Sequence, residues 1–219
     1  MKFYCKTLDT KMELDIEKIN YIIIESPKLY REIIQNLKTS IDEDNEEWIF
    51  SDNEKILKKA ALIDMIDSLL GLDFDSRKIQ GAIVEQAYRI ALDERYFEKT
   101  KKLVSDIEAY LYELEWELEY DTRINEIDIR NVIKLGIGGI DKKENLAEQL
   151  DDYIKISSRV LHNKVLVLFG MSGWFDENEW EQIQKTAKYE EMYLLCIENR
   201  DVLGKNNKIV VDLDGCRVI

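Results

Sequence analysis

The densest group of chemically capable side chains is a run of seven carboxylates within residues 113–128, where Arg123 is the only cation. Like charges at this density repel one another unless they are solvated, protonated or bound to cations. Calcium accepts about six to eight oxygen ligands in flexible geometry, and glutamates four residues apart lie on the same side of a helix. The run therefore predicts either a calcium site or a solvated acidic end of a helix. Its members are Glu113, Glu115, Glu117, Glu119, Asp121, Glu126 and Asp128.

This acidic segment, as residues 113–128 are called below, does not have the spacing of an EF-hand. If Asp121 opened such a loop, Arg123 would stand at the third position, where an oxygen ligand belongs, and Glu126 would replace the required glycine. A calcium site here would therefore have to be built in another way.

Patterns for nucleophilic catalysis and for phosphate binding are weak elsewhere in the chain. The single histidine, His162, has no evident Ser or Cys partner, which favours a structural or surface role. The turn at residues 25–28 lacks the glycines of a phosphate-binding loop, and the glycines at 136–139 follow a helix, where a helix stop is the simpler interpretation. The loop at residues 170–173 follows a strand and could bind a ligand, but it matches no nucleophile elbow.

Basic side chains that could contact phosphate form three clusters along the chain. They are Lys99, Lys101 and Lys102; Lys134, Lys142 and Lys143; and Lys155, Arg159 and Lys164. Each cluster could equally be a solvated surface, and local sequence favours phosphate contact most for the cluster around Lys134 and Lys142.

Charge and composition limit the classes of function. The chain has 219 residues with 31 Lys+Arg against 45 Asp+Glu, a formal net charge of −14. This charge disfavours coating of nucleic acid or of an anionic membrane by the whole surface, so a polyanion would be met at one specific place. One proline and nine glycines favour long helices. The three cysteines lack a Cys-x-x-Cys spacing, which indicates reduced thiols, and the absence of a signal sequence or apolar span predicts a cytoplasmic protein.

The elements at the two ends of the chain predict strands. Alternating apolar residues over 3–16 predict a hairpin, and a continuous apolar run at 21–24 predicts a strand buried on both faces. Ser26 as N-cap and Pro27 then begin a helix, followed by a short strand at 48–50. Further strands are predicted at 165–169, 192–197, 209–213 and 216–219, with a helix at 178–188. The ends together predict one α/β sheet domain.

The middle of the chain keeps its apolar residues at helical spacing. Five helices are predicted near residues 57–70, 76–90, 103–118, 129–133 and 146–161. Ser51 with Glu54 forms the capping box of the first, and Asp141 with Glu144 caps the fifth. The predicted organisation is a discontinuous α/β domain of residues 1–52 and 163–219, split by a helical insertion of residues 53–162.

Four of these stretches together resemble a known family. They are the strand and helix of residues 22–37, the acidic run of residues 114–121, the helix that contains Val132, Ile133 and Lys134, and the strand of residues 165–169 with its Ser-Gly loop. In element order and length the chain is similar to the CRISPR-associated adaptation accessory proteins of type II-A systems, the Csn-two family.

The resemblance implies an α/β head with a degenerate P-loop-like sheet and no phosphate loop, carrying an extended all-helical leg. It implies calcium-dependent homotetrameric rings that bind double-stranded DNA ends without sequence preference, through a lysine-lined hole and without enzymatic activity. Such rings support spacer acquisition in CRISPR adaptive immunity, with the integrase and effector nuclease as expected partners.

The resemblance also implies which residues would act. Glu115, Glu117, Glu119 and Asp121 match the acidic ligand run of the family, and Glu126 and Asp128 are the further expected calcium ligands. Lys134 matches a basic position of the family's helix. The other candidates for DNA contact are Lys142, Lys143, Lys155 and Arg159.

Two further hypotheses remain beside DNA-end binding. One is a metal-dependent nuclease or hydrolase that uses the acidic segment with Mg²⁺ or Mn²⁺. DNA binding is favoured over it because no positioned base, nucleophile or phosphate clamp accompanies the carboxylates. The other is a scaffold that binds proteins only.

Overall fold

The computed structural model describes residues 1–53, 55–120, 122–201 and 207–218. The strands are β1 (Lys2–Cys5), β2 (Thr10–Glu13), β3 (Asn20–Ile24), β4 (Trp48–Asp52), β5 (Lys55–Ile56), β6 (Ile63–Ile66), β7 (Val165–Phe169), β8 (Tyr193–Glu198) and β9 (Lys208–Val211). The helices are α1 (Pro27–Glu43), α2 (Arg77–Ala91), α3 (Glu94–Trp116), α4 (Ile129–Gly136), α5 (Leu146–Arg159) and α6 (Glu177–Tyr189). The chain divides into a first unit, Met1–Leu72 with Lys142–Ile219, and a second unit, Asp73–Asp141.

A parallel sheet forms the centre of the first unit. Its strand order is β6-β7-β8-β3-β9, and every neighbouring pair is parallel. All residues of β3 and of β7 are buried, because a parallel strand covered on both faces needs a continuous apolar run. The sequence-based prediction of strands at 21–24 and 165–169 is confirmed.

A second, antiparallel sheet with the order β2-β1-β4-β5 belongs to the same unit. The ring of Phe3 lies 5.4 Å from that of Trp48 and 5.7 Å from that of Phe50, centroid to centroid. These rings share one hydrophobic core with Ile33 and Leu37 of α1 and with strands of the parallel sheet. The predicted hairpin over 3–16, the helix that begins at Pro27 and the strand near 48–50 are confirmed.

The predicted helix at residues 57–70 is wrong. This stretch directly follows β5 and contains a short 3-10 turn (Lys59–Ala61) and β6. Ile63 and Ile66 have a helical spacing, but they pair with Val165 and Leu168 of β7 in parallel register. Ladder hydrogen bonds to an already buried strand override the weak local preference. Of the predicted capping box, Glu54 lies outside the described residues.

Helix α5 belongs to the first unit, although the sequence-based boundaries assigned it to the insertion. It packs against α6, and a polar cluster ties it to the edge strand β6. In that cluster Asp64 Oδ2 accepts hydrogen bonds from Tyr153 Oη at 2.8 Å, Ser157 Oγ at 3.3 Å and Asn163 Nδ2 at 3.3 Å. The N-cap of α5 is Asn145, whose side chain accepts from two backbone amides, rather than Asp141 or Glu144.

The second unit contains α2, α3 and α4, close to three of the predicted helices. Ser76, Asp93 and Asp128 are their N-caps, and each side chain accepts a backbone hydrogen bond. No residue of the 23-residue helix α3 is fully buried, and its apolar side chains are covered only in part, with Val104, Ile107 and Leu111 half-buried.

The C-terminal hairpin is only partly formed. Residues 212–215 make a turn around Gly215, and a single antiparallel bridge joins Val211 to Arg217. No strand is assigned among residues 212–218, and Ile219 lies outside the described residues. Within the described chain, no helix combines the length and apolar character needed to cross a bilayer.

Candidate metal and nucleic-acid sites

The first half of the acidic segment is the end of helix α3. Glu113 and Glu115 lie in the last helical turns, and Glu117 is the C-cap residue. Beyond it, the chain returns toward the helix, because Thr122 Oγ1 donates a hydrogen bond to Glu115 Oε1 at 3.0 Å. This contact places the residues after the helix end close to one of the predicted ligands. Asp121, another predicted ligand, lies outside the described residues.

The second half of the acidic segment has a local structural task. Asp128 Oδ1 accepts a hydrogen bond from the backbone amide of Arg130 at 2.8 Å and thereby caps α4. A carboxylate at a helix N-terminus is also favoured by the helix dipole. Asp128 is thus accounted for as an N-cap, a role for which its position before an apolar helical run is a sufficient sequence signal.

The structure keeps the two halves of the predicted ligand set apart. Glu126 and Asp128 line a cleft of about 630 Å³ with Thr100 and Lys101 of α3. Glu115 follows Thr100 by 15 residues on the same helix, which is roughly 22 Å at the usual rise per residue. Over the described residues, no three carboxylates, thiols or imidazoles form a group that could hold a metal ion. The described ligands therefore do not fit a single calcium site in this arrangement.

A basic groove runs between α2 and α4 within the second unit. It has a volume of about 550 Å³, and its basic lining residues are Arg77, Arg130 and Lys134. Arg130 Nη1 lies 3.3 Å from Glu85 Oε2, and its guanidinium stacks 4.3 Å from the ring centroid of Tyr88. These contacts hold Arg130 in place, whereas Lys134 is exposed in the last turn of α4. Lys134, predicted from the sequence, thus has two basic neighbours that sequence reasoning missed.

The other four predicted DNA-binding residues belong to the first unit. Lys142 and Lys143 are exposed in the segment before α5. Lys155 pairs with Asp152 at 3.0 Å on the surface of α5. Arg159 makes a two-pronged contact with the buried carboxylate of Glu190 on the neighbouring helix, through Nε at 2.7 Å and through Nη2. This engagement leaves Arg159 a poor candidate for a phosphate contact, because its charge is already neutralised by a partner.

The loop after β7, predicted as a possible ligand loop, is closed by the protein's own carboxylate. Glu198 Oε1 accepts hydrogen bonds from the backbone amides of Met171 at 2.9 Å and Ser172 at 3.0 Å. Glu198 is 4% exposed, and this burial raises its pKa above the ordinary value despite the two hydrogen bonds. The amides that could have bound an anion here are therefore occupied.

A comparison with models of known protein families shows the family of this chain. The family model described as CRISPR-associated protein (Cas_Csn2) matches residues 40–214, which is more than half of the chain. This chain belongs to the Cas_Csn2 family. Membership supports a role related to adaptation in type II-A CRISPR systems, and the family is not known as a family of enzymes.

The fold of this Cas_Csn2 family member is similar to a solved one. The crystal structure of Stu0660 of Streptococcus thermophilus has a TM-score of 0.60 and 14% sequence identity, over 96% of this chain and 74% of that chain. At this identity the similarity concerns the fold alone, a mixed α/β structure with a parallel sheet and helices.

Two features of this family member had little or no signal in the sequence. Glu198 ends a buried strand like any other polar residue, and only the folded loop shows what its carboxylate binds. Arg77 directly follows the N-cap of α2, and only the packing of α2 against α4 brings it into the groove with Lys134.

Proposed function

We propose that this protein binds the ends of double-stranded DNA without cleaving them, as a homotetrameric ring that supports spacer acquisition in type II-A CRISPR immunity. The observation that carries the proposal is the Cas_Csn2 family match over residues 40–214. The integrase and effector nuclease of the same systems are the proposed protein partners. The enzymatic alternative lacks a comparable support, because over the described residues no three carboxylates, thiols or imidazoles come together as a group that could hold a catalytic metal ion.

The charge of the chain determines how DNA would be bound. With a net charge of −14, most of the surface repels a polyanion. The basic groove of Arg77, Arg130 and Lys134 is a local exception, and Lys142 and Lys143 are exposed basic residues of the first unit. In a ring, such residues from several copies would converge on one duplex. Binding through phosphates needs no base contacts, so it would be independent of sequence and strongly dependent on salt.

Calcium is a separate part of the proposal. Its support is the density of carboxylates in the acidic segment, which a divalent cation would relieve. Because the described ligands do not converge, no step of DNA binding is assigned to calcium here. Calcium dependence is instead measured directly, as one arm of the following experiment.

The experiment combines native mass spectrometry with a mobility-shift assay on matched DNA forms. Linear duplex, the same duplex closed into a circle, and linear duplex whose two ends are blocked by biotin–streptavidin are compared in calcium and in chelator. We expect binding to free-ended duplex only, four copies per complex, and weaker binding in chelator. Blocking the ends after loading should trap the protein, since a threaded ring cannot leave.

The outcomes separate the parts of the proposal. Equal binding to circular and linear DNA contradicts end-threading, whereas unchanged binding in chelator contradicts only the calcium dependence. Cleavage of DNA in Mg²⁺ or Mn²⁺ would contradict the non-enzymatic proposal and support a nuclease. No binding to any DNA form would support a scaffold that binds proteins.

A further inference from the structure

The second unit leaves several large apolar side chains exposed around the C-terminal end of helix α3. In residues 114–120, called the Glu-aromatic segment, Leu114, Trp116, Leu118 and Tyr120 alternate with Glu115, Glu117 and Glu119. All four apolar side chains are exposed, and Trp116 is 88% exposed. Such a cluster of large apolar groups in water is unfavourable and is typical of a surface that meets a partner.

A groove of complementary character lies near the other end of the same helix. It has a volume of about 560 Å³, with Ile90, Leu103 and Ile133 among its apolar lining residues. Its charged lining residues are Lys99, Lys102 and Asp106. The groove therefore combines an apolar floor with an excess of positive charge, while the Glu-aromatic segment combines apolar side chains with negative charge.

Geometry makes the groove's occupant a second copy of this chain rather than the same copy. Leu103 in the groove and Trp116 in the segment are 13 residues apart on α3, roughly 20 Å along the axis of one rigid helix. A segment held at that distance cannot fold back into its own groove. Two antiparallel copies of α3, however, would place each segment over the groove of the other copy at the same time. Such a two-fold interface is self-complementary and closed.

We propose that the Glu-aromatic segment of one copy docks in the α2–α3–α4 groove of a second copy, with its glutamates facing Lys99 and Lys102. This inference rests on the self-assembly in the proposed function and identifies one of its interfaces. Trp116 is the central anchor, because a large aromatic side chain that becomes desolvated contributes most to an interface.

Charge exchange between variants tests this pairing. One variant carries Lys99→Glu and Lys102→Glu, and the other carries Glu115→Lys and Glu117→Lys. Each variant reverses the charge of two side chains at the proposed interface, so we expect each variant alone to self-associate about tenfold more weakly. An equimolar mixture should recover association as a heterodimer, detected by native mass and sedimentation in chelator so that cations do not compete for the glutamates.

Matched controls keep the result independent of folding. Lys101→Glu makes the same kind of charge reversal, at one residue, on the same helix but outside this groove, and it should leave association unchanged. Trp116→Ala should weaken association with no loss of thermal stability at concentrations where the protein is monomeric, since the side chain is exposed in the single copy. Assembly that resists both charge reversals and Trp116→Ala overturns this inference alone. A wild-type protein that stays monomeric at all concentrations, in calcium as well as in chelator, overturns the proposed self-assembly as well, and DNA binding by that monomer would be scored separately.

Discussion

Replacement of Asp64 by alanine is expected to destabilise the first unit. Asp64 lies on the edge strand β6. Its Oδ2 atom accepts three hydrogen bonds, from the side chains of Tyr153, Ser157 and Asn163. Ser157 and Asn163 are almost fully buried. Without the carboxylate, these groups would face an apolar side chain in place of an acceptor.

The magnitude follows from the individual contacts. The Tyr153 hydrogen bond, at 2.8 Å, is the shortest, and a hydrogen bond to a charged group contributes about 1.5–3 kcal/mol. The two longer contacts contribute less, because Asn163 Nδ2 and Ser157 Oγ still hydrogen-bond to each other at 3.0 Å after the change. We therefore expect Asp64→Ala to lower the free energy of unfolding by about 3 kcal/mol and Tyr153→Phe to lower it by about 1.5 kcal/mol.

Thermal and urea unfolding followed by circular dichroism measure both changes. A loss of about 3 kcal/mol corresponds to a decrease in Tm of roughly 6–12 °C for a domain of this size. Asp67→Ala, on an exposed residue just after β6, is the matched control and should stay within about 0.5 kcal/mol. A double-mutant cycle should give a coupling of about 1.5 kcal/mol between Asp64 and Tyr153. An Asp64→Ala protein as stable as the Asp67→Ala control would refute the stabilising role assigned to the polar cluster around Asp64.

Three further predictions concern charge. Because burial raises the pKa of Glu198 in the folded state, its ionisation costs stability as pH rises from its ordinary pKa through the raised one. The free energy of unfolding of the Glu198→Gln variant should therefore increase relative to that of the wild type as pH rises through this window. A difference between the two that stays constant in urea titrations from pH 4 to 8 would contradict this. Arg159→Ala should lower Tm, because the buried carboxylate of Glu190 loses its partner, and should leave the salt dependence of DNA binding unchanged. Lys134→Ala should make the slope of log K for DNA binding against log salt concentration shallower by about 0.9 per lost phosphate contact. The control Lys185→Ala, which changes an exposed lysine outside the groove, should leave this slope unchanged. Equal slopes for the two variants would show that Lys134 does not contact DNA.

Local patterns were sufficient where a residue's neighbours in sequence are also its structural partners. The apolar runs at 21–24 and 165–169 could only be strands buried on both faces. Pro27 fits the first turn of α1, and Ser76 caps α2 through its own side chain. The high density of carboxylates in the acidic segment was likewise evident from the sequence alone.

Local patterns failed where a distant segment decides the conformation or the environment. Ile63 and Ile66 have helical spacing, yet β7 draws them into the parallel sheet. The apolar residues of α3 were predicted to lie on one face, and the other helices of its unit cover that face only in part, leaving Leu103, Tyr110 and Leu114 exposed. Glu115 and Asp128 are members of one acidic segment in the sequence, yet the structure places Glu115 in the last turns of α3 and Asp128 at the N-cap of α4.

The amino-acid sequence by itself determined the order of most strands and helices and the excess of negative charge, because each depends on composition and short-range periodicity. Only the tertiary structure decided that α5 joins the sheet through Asp64, that Glu198 closes the loop after β7, and that Arg77 and Arg130 stand beside Lys134. These contacts join residues far apart in the chain, and their energies depend on burial and distance, which no local pattern encodes.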